Sequence, residues 1–208
     1  MKQLKMLWLA VVAAAVVMAY AGAGSASATV LCEEFEIPCP AGKIYPAGTT
    51  VSAGLKPEGQ SIFRATTGEE LEACSMSNLA GSTSNKGAEK EAVKGEILKL
   101  SFAECSNAVA APVLGQFEIE YVTGANNTRA NLTFKGTQIT INLFGFVDCV
   151  YGAGAGLFIG TMTGGEPGTI HVNTVLTKVN GGFLCPTTIY WEAPYEVTAP
   201  FPVYFKEK

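Results

Sequence analysis

Gln116-Phe117-Glu118-Ile119-Glu120-Tyr121-Val122 decides the fold class: Phe117, Ile119 and Tyr121 are apolar at every second position, with Gln116, Glu118 and Glu120 between them. Successive side chains of a strand point to opposite faces, so this alternation marks a strand with one face buried and one wet. Gln138-Ile139-Thr140-Ile141-Asn142-Leu143-Phe144 repeats the pattern. Similar short runs occupy residues 50–55, 61–66, 71–76, 93–102, 130–135, 157–162, 169–176 and 188–197. Turn residues separate them at Pro57-Glu58-Gly59, Gly124 with Asn126-Asn127, Lys135-Gly136, Gly164-Gly165 and Asn180-Gly181-Gly182. About ten short strands at this spacing predict an all-β domain, either an antiparallel β-sandwich or a partly closed barrel. Residues 85–94 alone have a helical composition, but without a sustained apolar stripe they read as a loop or single turn.

Upstream of these strands, Lys2 and Lys5 precede an apolar stretch that ends in Ala26-Ser27-Ala28. A short basic region, an apolar core and small residues before a scissile bond are the parts of a cleavable export signal, so residues 1–28 read as a signal peptide cut before Thr29. A retained anchor is the rival reading, because about 18 apolar residues can just span a bilayer. The Ala and Gly content and the cleavage site oppose it, and no stable membrane span is expected after processing. Lipidation of Cys32 is also disfavoured, since Leu31 stands where a small residue is needed. Residues 29–208 contain no long linker and are expected to form a single secreted β domain.

Six cysteines, Cys32, Cys39, Cys74, Cys105, Cys149 and Cys185, all fall in this domain. An even number in an exported chain predicts disulfides, because an oxidising compartment lets them persist. No Cys-x-x-Cys spacing supports a metal site. Six cysteines allow 15 pairings. Placement favours the sequential order: Cys32 and Cys39 are near neighbours, Cys74 and Cys105 flank one polar loop, and Cys149 and Cys185 end two strands beside glycine turns.

The formal net charge is −4 for the whole chain, and loss of Lys2 and Lys5 takes it to about −6. The lysines at 86, 90, 94 and 99 are interleaved with Glu89, Glu91 and Glu96. With no basic stripe, nucleic acid is not an expected partner.

Catalytic chemistry has little to draw on. His171 is the only histidine and Asp148 the only aspartate, and no Gly-x-Ser-x-Gly elbow exists to complete a hydrolase triad. His171 alternates with Ile170 and Val172, which puts it on the wet face of a strand. Glu118 and Glu120 share one strand face with side chains about 7 Å apart, the separation a carboxylate-dependent glycosidase uses, but half-exposed strands show the same pattern. The clusters Glu33-Glu34-Glu36 and Glu69-Glu70-Glu72 lack the Asp, Asn and Gly alternation of a calcium loop. Gly152-Ala153-Gly154-Ala155-Gly156 has no lysine for a phosphate and reads as a flexible turn. The aromatic C-terminal part, Tyr190, Trp191, Tyr195, Phe201, Tyr204 and Phe205, could stack on sugars, though core packing accounts for most of it.

Tyr45-Pro46-Ala47-Gly48-Thr49-Thr50, Leu100-Ser101-Phe102 leading to Cys105, Phe144-Gly145 leading to Cys149-Val150-Tyr151, and Gly181-Gly182-Phe183-Leu184-Cys185 together resemble uncharacterised exported proteins found in multiple copies in soil actinobacteria. The resemblance spans most of the domain and implies export and a cysteine-pinned β fold. It carries no known activity. The expectation is a non-enzymatic extracellular or cell-envelope protein, without cofactor, metal or catalytic residues, that binds a cell-wall polymer or another extracellular protein or serves structurally. The second reading is a secreted hydrolase that uses a pair of carboxylates. Loops at 81–90, 124–129 and 152–156 are the expected recognition elements.

Overall fold

The computed structural model describes residues 29–88, 91–124 and 128–207. The export segment 1–28 therefore lies outside the described residues, as do 89–90 and 125–127 within two of the expected recognition loops.

Fourteen strands form among the described residues: β1 (Val30–Cys32), β2 (Thr50–Leu55), β3 (Ser61–Ala65), β4 (Glu70–Thr83), β5 (Val93–Cys105), β6 (Val109–Val113), β7 (Gln116–Tyr121), β8 (Arg129–Lys135), β9 (Gln138–Leu143), β10 (Val147–Gly152), β11 (Leu157–Thr163), β12 (Thr169–Asn180), β13 (Thr188–Ala199) and β14 (Tyr204–Lys206). Each of the ten alternating runs is a strand, and β4, β5, β12 and β13 run on beyond their patterns. β1, β6, β10 and β14 have no counterpart among those runs.

Every ladder is antiparallel, and the order β13-β3-β4-β5-β7-β8-β11-β12 closes on itself because β12 pairs back onto β13. The expectation of a sandwich or partly closed barrel is thus corrected to a closed eight-stranded barrel carrying extra strands. Closure gives each of these eight strands a neighbour on both sides, which the end strands of an open sheet lack.

Four strands are long and the rest short, which divides the barrel into two tiers. Strand β4 pairs through Asn78–Ser82 with β2 and through Glu70–Cys74 with β3, and β13 meets the same two strands in turn. One position in the wall is therefore filled end to end by β2 above and β3 below, and residues 56–60 leave the wall between them. In the same way β12 pairs with β11 above and β10 below, and β5 pairs with β7 above only. The upper tier holds β2, β7, β8 and β11, the lower tier β3, β6, β9 and β10, and β4, β5, β12 and β13 pass through both. Among the described residues β6 pairs with β9 alone. Its Pro112, which has no N–H to donate, suits an edge.

Inward-facing side chains fill both tiers. In the upper one the Phe117 ring lies across the interior where Gly81 and Gly95 make room: a Cβ at either glycine would stand 2.7 or 2.3 Å from ring atoms. The space left among Val51, Phe117, Ile119, Leu132, Met162 and Ile170 is about 20 Å³, room for about one water. In the lower tier Phe63 stacks on Trp191 at 5.8 Å, and Phe102 meets both rings edge-on. The β1–β14 ribbon lies over the upper end, with Thr29 N–H donating to Glu91 C=O and the Gly165 backbone pairing with Val203. Val30, Leu31 and Phe205 are buried there.

Disulfides join Cys32 to Cys39, Cys74 to Cys105 and Cys149 to Cys185. Cys74 and Cys105 are direct partners across the β4–β5 ladder. Cys149–Cys185 ties the 181–187 loop to β10. Among the described residues no helix is long and apolar enough to cross a membrane.

Candidate functional site

The handover from β2 to β3 builds a groove on the outer wall. Lys56-Pro57-Glu58-Gly59 forms a turn closed by Gly59 N–H donating to Lys56 C=O at 2.9 Å. Pro57 occupies the second position and Glu58 the third with φ +62°, the arrangement of a type II turn, in which glycine or asparagine normally takes the left-handed place. The turn is pressed against β13: Lys56 N–H donates to Pro194 C=O at 3.0 Å, and a Cβ on Gly59 would stand 2.9 Å from Pro194 Cγ. Beside Pro194, its ladder partner His171 projects outward from β12. Glu58, Gln60, Ile62, His171, Glu192, Ala193 and Pro194 enclose about 380 Å³. Arg64 Nη1 reaches Glu192 Oε2 at 2.5 Å and fixes that carboxylate along one side. The groove thus offers a carboxylate, an amide and an imidazole, with Ile62 and Pro194 between them.

The other candidates are dispersed. Glu118 and Glu120 share the outer face of β7, and Glu118 is ion-paired with Lys135 at 2.7 Å. A separate groove of about 130 Å³ places Glu118 near Lys94, Glu96 and Gln116. His171 and Asp148 do not meet. Asp148 accepts from Asn142 Nδ2 at 2.8 Å beside the far end of β12, where Val150 pairs with Asn180, about 30 Å along that strand from His171. Glu33 and Glu34 flank the Lys43 ammonium at 3.6 and 2.9 Å, which holds the lysine pKa above its ordinary value.

The Glu69-Glu70-Glu72 cluster is split by burial. Glu69 and Glu70 are exposed, whereas Glu72 is wholly buried on the inward face of β4. Its carboxylate accepts from Ser106 Oγ at 2.7 Å and from the Asn107 N–H at 2.9 and 3.0 Å, fastening the β5–β6 turn. Glu72 lies close to the Cys74 and Cys105 sulfurs, but these are joined in a disulfide and present no thiolate to a metal.

The C-terminal aromatics divide in the same way. Trp191, Tyr195 and Phe205 are buried, and Tyr190 and Phe201 are exposed. Trp191 Nε1–H donates to Ser61 Oγ at 2.9 Å, and Ser77 Oγ shares a hydrogen bond of 2.7 Å with the Tyr195 hydroxyl. Burial pushes the Tyr195 phenol up to about 12, against the opposing pull of the Ser77 and Ser61 hydroxyls. At the upper end the buried Lys206 Nζ donates to Phe35 C=O at 2.7 Å and lies 4.2 Å from the centre of the Phe35 ring. Loss of hydration lowers its pKa from the ordinary lysine value.

Comparison with protein-family models, curated proteins and solved structures finds no match.

Proposed function

We propose that this is a non-catalytic extracellular or cell-envelope binding module whose ligand seat is the groove at the β2–β3 handover. The observation that carries the reading is where space is found. In the upper barrel interior the cavity beside Phe117 and Met162 amounts to about 20 Å³, while about 380 Å³ opens on the outer wall, flanked by strands and a turn braced on Pro194. Glu58 occupies a backbone conformation that glycine or asparagine adopts at less cost, and strain of this kind collects where a side chain is needed for recognition. Donors and acceptors in a shallow groove suit a hydroxyl- and amide-rich chain such as a cell-wall polymer. Three disulfides suit an oxidising extracellular setting.

The test is co-sedimentation of the secreted protein with purified cell-wall polysaccharide. Binding by the wild type that His171→Ala and Gln60→Ala weaken at least about tenfold, with unchanged melting, supports the reading; wild-type binding that neither change touches refutes the groove as its seat.

The hydrolase reading draws on Glu58 and Glu192 sharing one groove, although Glu192 is already engaged by Arg64. Turnover of chromogenic glycosides that Glu58→Gln or Glu192→Gln abolished would establish it in place of the binding module. Glu118→Gln and Glu120→Gln serve as controls.

A further inference from the structure

At the lower end of the barrel, opposite the β1–β14 ribbon, two turns carry apolar side chains into solvent. The β9–β10 turn presents Phe144 and Phe146, 68 % and 74 % exposed, with ring centres 6.2 Å apart. The β12–β13 loop presents Phe183, 94 % exposed, together with Leu184, and Val179 stands exposed at the end of β12. Isolated apolar side chains on a surface are ordinary, but several large ones gathered at one end mark an interaction site.

Three features show this end to be built for display. The two turns are held together, since Cys149–Cys185 joins them and Gly181 packs where a Cβ would stand 2.6 Å from Cys185 Sγ and 3.0 Å from Asp148 C=O. Phe144 has φ +57° and is followed by Gly145 at +78°. A hairpin normally gives the first of these two left-handed places to Asn, Asp or Gly, and a bulky side chain there is strained. The polar backbone is also partly satisfied from within: Phe146 N–H donates to Leu143 C=O, Cys185 N–H to Gly182 C=O, and Lys178 Nζ to the Gly182 and Cys185 carbonyls.

We infer that these paired turns are a membrane-docking tip, with Phe144, Phe146 and Phe183 entering the interfacial layer of a lipid bilayer while the barrel stays outside it. No charged residue occurs at 143–147 or 179–188; Asp148 and Lys178 flank these stretches, and the Lys178 ammonium is held by the Gly182 and Cys185 carbonyls. That matches the demand of a low-dielectric layer, which accepts aromatic rings and rejects unpaired charge. A second copy fits poorly, because a few side chains fall short of the area a stable dimer needs. Lipid conforms to a protruding ring without any pocket of its own. The acidic domain and a tip whose one ammonium is already held by backbone carbonyls point to zwitterionic lipid, not a strongly anionic surface.

The experiment is flotation of the secreted protein with phosphatidylcholine vesicles. The expected result is binding that persists at high salt, falls at least about tenfold in partition coefficient for Phe146→Ser or Phe183→Ser, and is lost in the double variant. Phe201→Ser, which removes an exposed ring at the upper end, should leave binding unchanged, as should His171→Ala in the groove. Unchanged melting of each variant confirms that the fold is intact. Failure of the wild type to float, equal binding by the tip variants, or equal loss with Phe201→Ser would each overturn the inference. A wild type that floats while failing to bind wall polymer would leave the tip standing and remove the groove reading.

Discussion

Ser61→Ala removes a buried hydroxyl that fixes how β3 meets β13 and also acts on the Tyr195 phenol. A double-mutant cycle with Trp191 is therefore needed to isolate the indole contact. The Ser61 hydroxyl accepts the Trp191 indole N–H at 2.9 Å, and both residues are essentially inaccessible to water. Removing the oxygen leaves an indole donor buried without that partner, a loss of about 1–3 kcal/mol. For a domain of this size each kcal/mol shifts the midpoint by roughly 2–4 °C, so the expected fall is about 2–12 °C. Trp191→Phe removes the donor instead and leaves a small void, and the double variant removes both partners. Coupling of about 0.5–3 kcal/mol is expected, the double variant being less destabilised than the two singles together. Thermal unfolding followed by far-ultraviolet circular dichroism, with disulfides intact, measures all four proteins. Trp191 is the only tryptophan after residue 28, so in a protein that begins at Thr29 the emission of Ser61→Ala reports directly on the altered site. Additivity of the two changes to within about 0.3 kcal/mol would refute the claim that this hydrogen bond contributes to stability.

Burial raises the Tyr195 and Tyr151 phenols from the ordinary 10 to about 12. The folded state therefore holds their protons longer than the unfolded chain, so these two phenols leave stability unchanged below pH 10 and lower it between about pH 10 and 12; ultraviolet titration of tyrosinate should find these two ionising last. Glu72→Gln, which gives up the charge that the Ser106 and Asn107 donors face, should cost about 1–3 kcal/mol in urea unfolding, and a midpoint equal to that of the wild type would contradict the role given to this carboxylate. Replacing Cys149 and Cys185 together by alanine frees a loop of sequence separation 36, worth up to about 3.8 kcal/mol in loop entropy, and should speed limited proteolysis near Phe183; cleavage as slow as in the wild type would count against the clamp. N-terminal sequencing of secreted material should begin at Thr29, and an intact Met1 would contradict the export reading.

Much of the barrel was legible because alternation survives wherever one face is packed and the other wet. Residues 50–55 and 138–143 show this, and they match β2 and β9. Most of what escaped had no alternation to show, β10 with its buried Cys149 and Tyr151 beside exposed Asp148 being the exception. β1 and β14 are three residues each, all three of β1 are buried, and β6 contains a proline. Closure was not legible either, since it depends on β12 meeting β13 and on β2 and β3 dividing one place in the wall, relations between distant segments. The outward placement of His171 could be read from its neighbours Ile170 and Val172. Its approach to Glu58 and Gln60 could not, although Glu58 in a Pro-Glu-Gly turn was a local sign of an unusual backbone. Glu72 was grouped with Glu69 and Glu70 as one acidic cluster, although it falls in the alternating run 71–76. It stands two residues from Cys74, so the same period-two rule that located the strands would have sent it inward.

The four long strands that run through both tiers tie the fate of one half of the barrel to the other. A break in the upper ladders frees the same backbones that the lower ladders depend on, so neither half has a wall of its own to retain. Unfolding should be cooperative across the whole domain, and amides of β4 and β13 in both tiers should exchange with solvent at a common, slow rate. The cost falls on synthesis. β13 cannot find β2, β3 and β12 until nearly the entire chain has been made, which leaves the partners in the first half exposed and waiting for a strand from the last.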